Sequence, residues 1–256
     1  MELLKEPCTP KRIRRALEKL PERLGDAYDN IMDRIDRQEG DKKTIALTAL
    51  MWITHAKRRL TVDELAHAIA LGLEPDCTAI GSDDLIDVDL LLSSCAGLVT
   101  LNNEDRIIRL VHYTTQDYLE KRLMDRKGDI ARGCLTYLCL DVFDDFRDKD
   151  SEVKDRAQKY ELSRYAAQYW GVHTRGELEK DPHIQGAVLS LLASGNKKDS
   201  MLQLETYANS GWGDIFFTRG QTLLHVIAKN GLATICERVL YGRINGKDTY
   251  ALEVDI

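Results

Sequence analysis

The sequence lacks the features of membrane proteins and of secreted disulfide proteins. No apolar run approaches the roughly 18 to 20 residues that span a bilayer. The N-terminus is no secretory signal, because Glu2, Lys5 and Pro7 interrupt any apolar region. The 6 cysteines show no CxxC spacing, and the apolar run around Cys134 and Cys139 is more typical of a helix core than of a disulfide or metal site. We therefore expect a soluble protein without membrane association, in a reducing compartment, and predict a cytoplasmic location.

Motifs of catalysis and nucleotide binding are missing as well. The phosphate loop G-x-x-x-x-G-K-[ST] has no match, because the stretch from Ser194 to Asp199 has the wrong spacing. Neither H-E-x-x-H nor G-x-S-x-G occurs, and the histidines are far apart in the sequence. We predict no enzyme activity, no metal site, and no tight nucleotide binding by this chain alone. An enzyme of unrecognised type is the weaker alternative, since a chain with 42 acidic residues contains paired carboxylates in any case.

The spacing of apolar residues predicts a mainly α-helical chain. The predicted helices cover residues 11–20, 24–37, 43–55, 62–70, 82–94, 115–124, 133–143, 159–171, 182–193, 199–210 and 232–240. Thr61, followed by Glu64 three residues later, predicts a capping box at the start of one of these helices. The densely charged residues 144–158 are predicted to be a solvated connection.

Between two of these helices the period of the pattern changes. Residues 97–101 and 106–111 are β-rich, and Asn102-Asn103-Glu104-Asp105 between them predicts a hairpin turn. Helices, a β-hairpin and a closing helix in this order predict a winged helix over residues 43–126. We expect a helical linker over residues 1–42, a helical domain over 127–211, and the start of an ankyrin repeat stack over 212–256.

The ankyrin prediction depends on residues 220–231, which resemble the opening G-x-T-P-L-H-x-A-A-x-x-G of an ankyrin repeat. The matching positions at which we expect interaction or structural roles are Thr222, Leu224, His225 and Gly231. Leu223 and Ile227 replace the usual proline and alanine. By this resemblance the histidine bonds between neighbouring repeats. One repeat cannot bury both of its faces, so we expect it to stack on the preceding helices through residues such as Leu224, and a second repeat to start near Asn245 and Asp248.

Taken together, several stretches resemble one protein family. They are Leu20-Pro21-Glu22-Arg23-Leu24 through Tyr28, residues 49–69, residues 94–119, residues 160–175 and the ankyrin opening. This set is similar to the region between the nucleotide-binding domain and the ankyrin array of fungal NACHT-ankyrin proteins. Those proteins are STAND-class signal-transduction NTPases, related to plant disease-resistance and animal inflammasome proteins. The resemblance implies a non-catalytic regulatory and protein-interaction segment, active in innate immunity, heterokaryon incompatibility and related self/non-self recognition.

His112 is the residue to which the resemblance gives the most specific role. In the switch family a histidine follows the second strand of the winged helix, and plant members spell it Met-His-Asp. Here the sequence is Val111-His112-Tyr113. The resemblance implies that His112 contacts the diphosphate of ADP in the full-length protein and holds the switch closed, while a structural cap of the closing helix is the equally weighted alternative. Tyr113 replaces the aspartate, so the role of that carboxylate does not transfer.

The same resemblance implies the partners and cofactors. ADP or ATP with Mg would bind in the full-length protein, none of them in this chain. The partners would be an upstream NACHT domain and a protein bound by the ankyrin repeats, with oligomerisation on activation.

A DNA-binding winged helix is the other function to be considered. Its recognition helix would lie within residues 82–94, which contain four aspartates and no lysine or arginine. Such a surface repels phosphates, and the net charge of −6 adds no general attraction. The basic residues at positions 57–59, Arg106 and Arg109 argue for DNA binding, but a charged turn is usually only solvated. We therefore predict no nucleic-acid partner.

Overall fold

The computed structural model describes residues 20–210 and 219–244. The predicted helix over residues 11–20 lies outside these residues except for its last position, and so does the second repeat predicted near Asn245 and Asp248. The helices are α1 (Leu20–Asp36), α2 (Lys42–His55), α3 (Val62–Leu73), α4 (Val88–Ser94), α5 (Tyr113–Arg122), α6 (Lys127–Leu138), α7 (Asp150–Lys159), α8 (Leu162–Thr174), α9 (Pro182–Ala193), α10 (Gly195–Ser210), α11 (Leu223–Lys229) and α12 (Ala233–Ile244). Strands β1 (Val99–Asn102) and β2 (Ile107–Leu110) form an antiparallel pair between α4 and α5. The prediction of a mainly helical fold with a winged helix is confirmed.

Local sequence signals determine where α3 of the winged helix begins. The hydroxyl of Thr61 accepts a hydrogen bond from the Glu64 backbone N–H at 3.1 Å, and the Glu64 carboxylate accepts one from the Thr61 N–H at 3.0 Å. The predicted capping box is therefore present, and it starts α3. Val99 pairs with Leu110 and Thr100 with Arg109 across the hairpin.

Three segments differ from the predictions. The helix predicted over residues 133–143 is α6, which starts earlier, at Lys127, and ends at Leu138, and a 3₁₀ turn at Asp141–Phe143 follows it. The helix predicted over residues 82–94 is divided: residues 82–84 form a single 3₁₀ turn, and α4 starts only after Asp87, whose side chain accepts from the Leu90 N–H at 2.8 Å. The segment 144–158 was predicted to be a solvated connection, but its residues from Asp150 onward belong to α7. Val153 and Arg156 of α7 are buried, and Arg156 lies over the Phe143 ring at 5.5 Å.

One continuous hydrophobic core joins the winged helix to the helices that follow. Trp52 of α2 is 2% exposed. A Cβ on Gly133 of α6 would lie 3.0 Å from its ring, so glycine is what permits this approach. The same indole meets Tyr165 of α8 edge to face, with ring centroids 5.6 Å apart. The domain boundary at residue 126/127 stays a prediction, because the core does not separate there.

Helices α11 and α12 form a pair that packs on the end of the preceding helices. Nε of Arg175, just after α8, donates to the Asn230 carbonyl at 2.7 Å. Glu179 accepts from the Thr234 N–H at 2.9 Å, and Lys229 donates to Glu205 at 2.9 Å. The expected stacking of this segment on the preceding helices is what the structure shows.

Candidate functional site

His112 occupies the N-cap position of α5 and is exposed. Its Nδ1 accepts a hydrogen bond from the Thr114 backbone N–H at 3.3 Å and lies 2.8 Å from the Thr114 hydroxyl. A backbone N–H can only donate, so Nδ1 is the acceptor and the neutral ring carries its proton on Nε2. His112 is therefore a helix cap that also keeps a free donor on its outer nitrogen.

A chain of hydroxyl groups connects this cap to α1. The Thr115 hydroxyl donates to the Tyr28 hydroxyl at 3.0 Å, and the Tyr28 and Thr114 hydroxyls are 2.7 Å apart. With Nδ1 of His112 as the final acceptor, the chain runs in one direction from Thr115 through Tyr28 and Thr114. The Tyr118 hydroxyl also donates to Asp29 at 2.6 Å, so α1 is fixed directly against the helix that His112 caps.

His112 borders a basic groove of about 370 Å³ between α2, the wing and the start of α5. Arg58, Arg59 and Arg109 line it as well. Arg109 pairs with Asp105 across the hairpin turn, whereas Arg59 is exposed and has no acidic partner in the part of the chain that is described. Arg59 therefore supplies a positive charge without an acidic partner on the same groove as the Nε2 donor of His112, which suits an anionic ligand.

A buried ion pair positions Arg58 at this groove. Both carboxylate oxygens of Glu64 accept from its guanidinium, at 2.6 and 2.7 Å, and the Glu64 side chain is only 2% exposed. The guanidinium also lies over the Tyr165 ring at 5.1 Å. Burial alone lowers the pKa of Arg58, but the hydrogen bonds and charge of Glu64 outweigh it and raise the pKa. Arg58 is thus a fixed, permanent charge.

Apolar side chains flank His112 on the surface. Val111 is 51% exposed and Tyr113 75% exposed. The Tyr113 ring packs on the imidazole, with centroids 4.4 Å apart. An exposed apolar pair beside a polar edge is typical of a surface that contacts another protein or domain.

The segment at the position of a DNA-recognition helix, residues 82–94, carries carboxylates instead of lysine or arginine side chains. Asp83, Asp84, Asp87 and Asp89 are all exposed, in the 3₁₀ turn and in α4. This face would repel the phosphates of nucleic acid. Residues 82–94, where a recognition helix would lie, therefore present no basic side chains to DNA phosphates.

The positions that resemble an ankyrin repeat lie at the start and end of α11, and their ankyrin role stays a prediction. Thr222 caps α11 and its hydroxyl lies 2.8 Å from Nδ1 of His225, and Gly231 has the left-handed φ of +66°. The residue that is buried is Leu223, at 7%, whereas Leu224 is only partly buried. Leu224, which was expected to be buried, packs against the core but stays partly exposed. The bond of His225 to another repeat stays a prediction, because the bond that is present is local.

Two properties concern the described residues as a whole. Within residues 20–210 and 219–244 no helix is both long and apolar enough to cross a membrane. In the same ranges no three histidine, cysteine, aspartate or glutamate side chains stand together as metal ligands would.

Sequence reasoning singled out His112 but missed the groups around it. Arg58, Arg59 and Arg109 were noticed only as wing and turn charges relevant to DNA. The contact of Tyr28 with Thr114 was missed, because the two residues lie 86 positions apart in the chain and meet only through tertiary packing.

The hairpin, its flanking helices and the histidine cap define a winged-helix region. In agreement with this, the family model described as "GPI inositol-deacylase, winged helix domain" matches residues 32–133. That range starts within α1, after Tyr28 and Asp29, and ends within α6, so it includes the wing, His112 and all of α5.

The chain is also similar to the "Azaphilone pigments biosynthesis cluster protein L" of Monascus ruber, with 29% identity over 184 residues. The alignment covers 61% of this chain and 36% of the relative. The chain therefore spans about a third of the length of this curated relative. No solved structure matches.

Proposed function

We propose that this chain is the regulatory region of a nucleotide-switch protein of the NACHT class, whose winged helix closes over ADP bound to an upstream domain. The observation that carries the proposal is the position of His112: its inner nitrogen is held by the cap, and its outer N–H borders a groove lined by arginines. Diphosphate oxygens accept hydrogen bonds from such donors, and each charge-assisted bond contributes about 1.5 to 3 kcal/mol.

The contacts of α1 support a coupling between the two domains. This helix would follow the nucleotide-binding domain, and Tyr28 and Asp29 bind it to α5. A movement of the upstream domain would therefore reach the helix that His112 caps. The exposed Val111 and Tyr113 provide apolar surface for the same domain contact.

The ankyrin-like pair would serve protein interaction. Leu240 and Tyr241 of α12 are 42% and 65% exposed. In a repeat array this face would be covered by the following repeat, and further repeats would contact a protein partner. Oligomerisation would follow the release of ADP, as the resemblance to signal-transduction NTPases implies.

The test uses the full-length protein with its upstream domain and compares two substitutions. His112→Leu removes both the cap and the outer donor, whereas His112→Asn keeps a good N-cap but does not reach as far. If His112 senses nucleotide, both variants release ADP faster than the wild type and assemble without stimulus. Tyr113→Phe keeps the ring contact and should leave ADP release unchanged.

A purely structural cap gives a different pattern. His112→Leu would then lower the stability by about 0.5 to 2 kcal/mol, while His112→Asn would restore both stability and the wild-type rate of ADP release. That result would refute the nucleotide-sensing role.

A further inference from the structure

A second cavity, distinct from the groove at His112, lies between the winged helix and the helices that follow it. Its volume is about 540 Å³, within the range of about 300 to 1,000 Å³ common for small-molecule sites. The polar groups that converge on it are His55 and Lys57 at the end of α2, Lys127 at the start of α6, and His173 and Arg175 at the end of α8.

The balance of charge in this cavity is positive. Lys57 and Lys127 are exposed to it and have no ion-pair partner in the described ranges. Its carboxylates are Glu120 and Glu177. Glu177 pairs with Lys180 at 2.8 Å. Glu120 accepts from the neutral amide of Gln116 at 2.8 Å and keeps its negative charge near His55, but Lys57, Lys127 and Arg175 outnumber it.

Burial and the nearby positive charges both lower the pKa values of the two imidazoles. Burial lowers the pKa of His55, and Lys127 lowers it further. For His173, burial first and then the charge of Lys57 lower the pKa to about 4. Nε2 of His173 is 2.7 Å from the Tyr165 hydroxyl, which accepts from the Lys57 N–H at 2.9 Å. We assign the hydroxyl as the donor to Nε2, because this satisfies its own buried proton as well. His173 is thereby a neutral ring that carries its proton on Nδ1.

We propose that this cavity binds a small anion with several phosphate groups. Lysines act as mobile point charges for phosphate, while Arg175 supplies a directed guanidinium donor. Cations from three separate segments converge on one concave site, so a compact ligand of high charge density meets them together.

Such a ligand would connect three parts of the molecule. Lys57 belongs to the winged helix and Lys127 to the helical region after it. Arg175 is bound to the ankyrin-like pair through the Asn230 carbonyl. Occupation of the cavity would therefore stabilise the arrangement of all three parts at once.

The probe is inorganic tripolyphosphate, titrated calorimetrically into the 256-residue chain. We expect saturable binding that Lys57→Gln and Lys127→Gln each weaken by roughly tenfold or more, since each removes a charged contact. Two variants with the same loss of charge serve as controls. Lys121→Gln changes an exposed lysine outside both cavities, and Arg59→Gln changes the groove at His112; both should bind as the wild type does.

A second measurement locates the bound probe. The ring C–H signals of His55 and His173 in NMR spectra should shift in parallel with the calorimetric titration. The proposal is overturned if tripolyphosphate does not saturate, if the two histidine signals stay fixed, or if Arg59→Gln weakens binding as much as Lys127→Gln. The last result would assign the anion to the groove at His112. The outcome is independent of the proposed nucleotide switch, because neither the upstream domain nor His112 takes part.

Discussion

Ile227 of α11 tests whether the ankyrin-like pair is a docked part of the fold. Its side chain is fully buried, although the ankyrin pattern has alanine at this position. Ile227→Ala removes three buried carbons, worth about 0.8 kcal/mol each, and leaves a cavity. We therefore expect a loss of about 2 to 5 kcal/mol in the stability of the pair.

Hydrogen exchange followed by mass spectrometry resolves where that loss falls. Amides of residues 223–244 in the wild type should be protected, and Ile227→Ala should accelerate their exchange far more than that of α8. Leu224→Ala is the matched control, because Leu224 is only partly buried and its truncation should cost less. The pair is not docked if wild-type amides after Gly220 exchange like a free tail. Docking through Ile227 is contradicted if Leu224→Ala loosens the pair as much as Ile227→Ala.

Two further predictions concern the core between the winged helix and the helical region. The pKa of His173 is lowered from 6.5 to about 4, so between these pH values the unfolded chain binds more protons than the folded one. The contribution of His173 to the free energy of unfolding should therefore be fully present above about pH 6.5 and decrease by on the order of 3 kcal/mol toward pH 4. Urea titrations across this range should show a shallower decline for His173→Gln, and an unchanged slope would contradict the assignment. Gly133→Val should cost about 1 to 3 kcal/mol by crowding Trp52, whereas Gly186→Val, at a helix position with open space, should be nearly neutral in thermal melts; equal effects would disprove the crowding.

The winged helix was predictable because its signals are local. The Thr61 capping box, the polar hairpin turn and the apolar periodicity all specify short segments, and each is present in the structure. The position of His112 after β2 followed from the same local order.

The missed features depend on contacts between distant segments. Helix α7 was not predicted because its inward face contains an arginine, whose burial depends on Phe143 and on the carbonyls of Val142 and Asp145. The burial of Leu223 and the partial exposure of Leu224 were not predicted, because the repeat pattern does not specify which side of α11 meets the preceding helices. The connection from His112 to Tyr28 and the cavity at His173 likewise arise only after folding.

The hydroxyl chain from Thr115 to His112 has a consequence for the proton on the imidazole. Each hydroxyl has one proton, so an imidazole proton on Nδ1 would displace the Thr114 hydroxyl proton, which could turn to Tyr28 only if the Tyr28 and Thr115 hydroxyls rotated as well. The Thr114 backbone N–H cannot rotate and would then face a ring N–H at 3.3 Å. The tautomer of His112 is in this way set by residues of α1 and α5 that lie behind it. Removing the Tyr28 hydroxyl would leave the tautomer dependent on Thr114 alone.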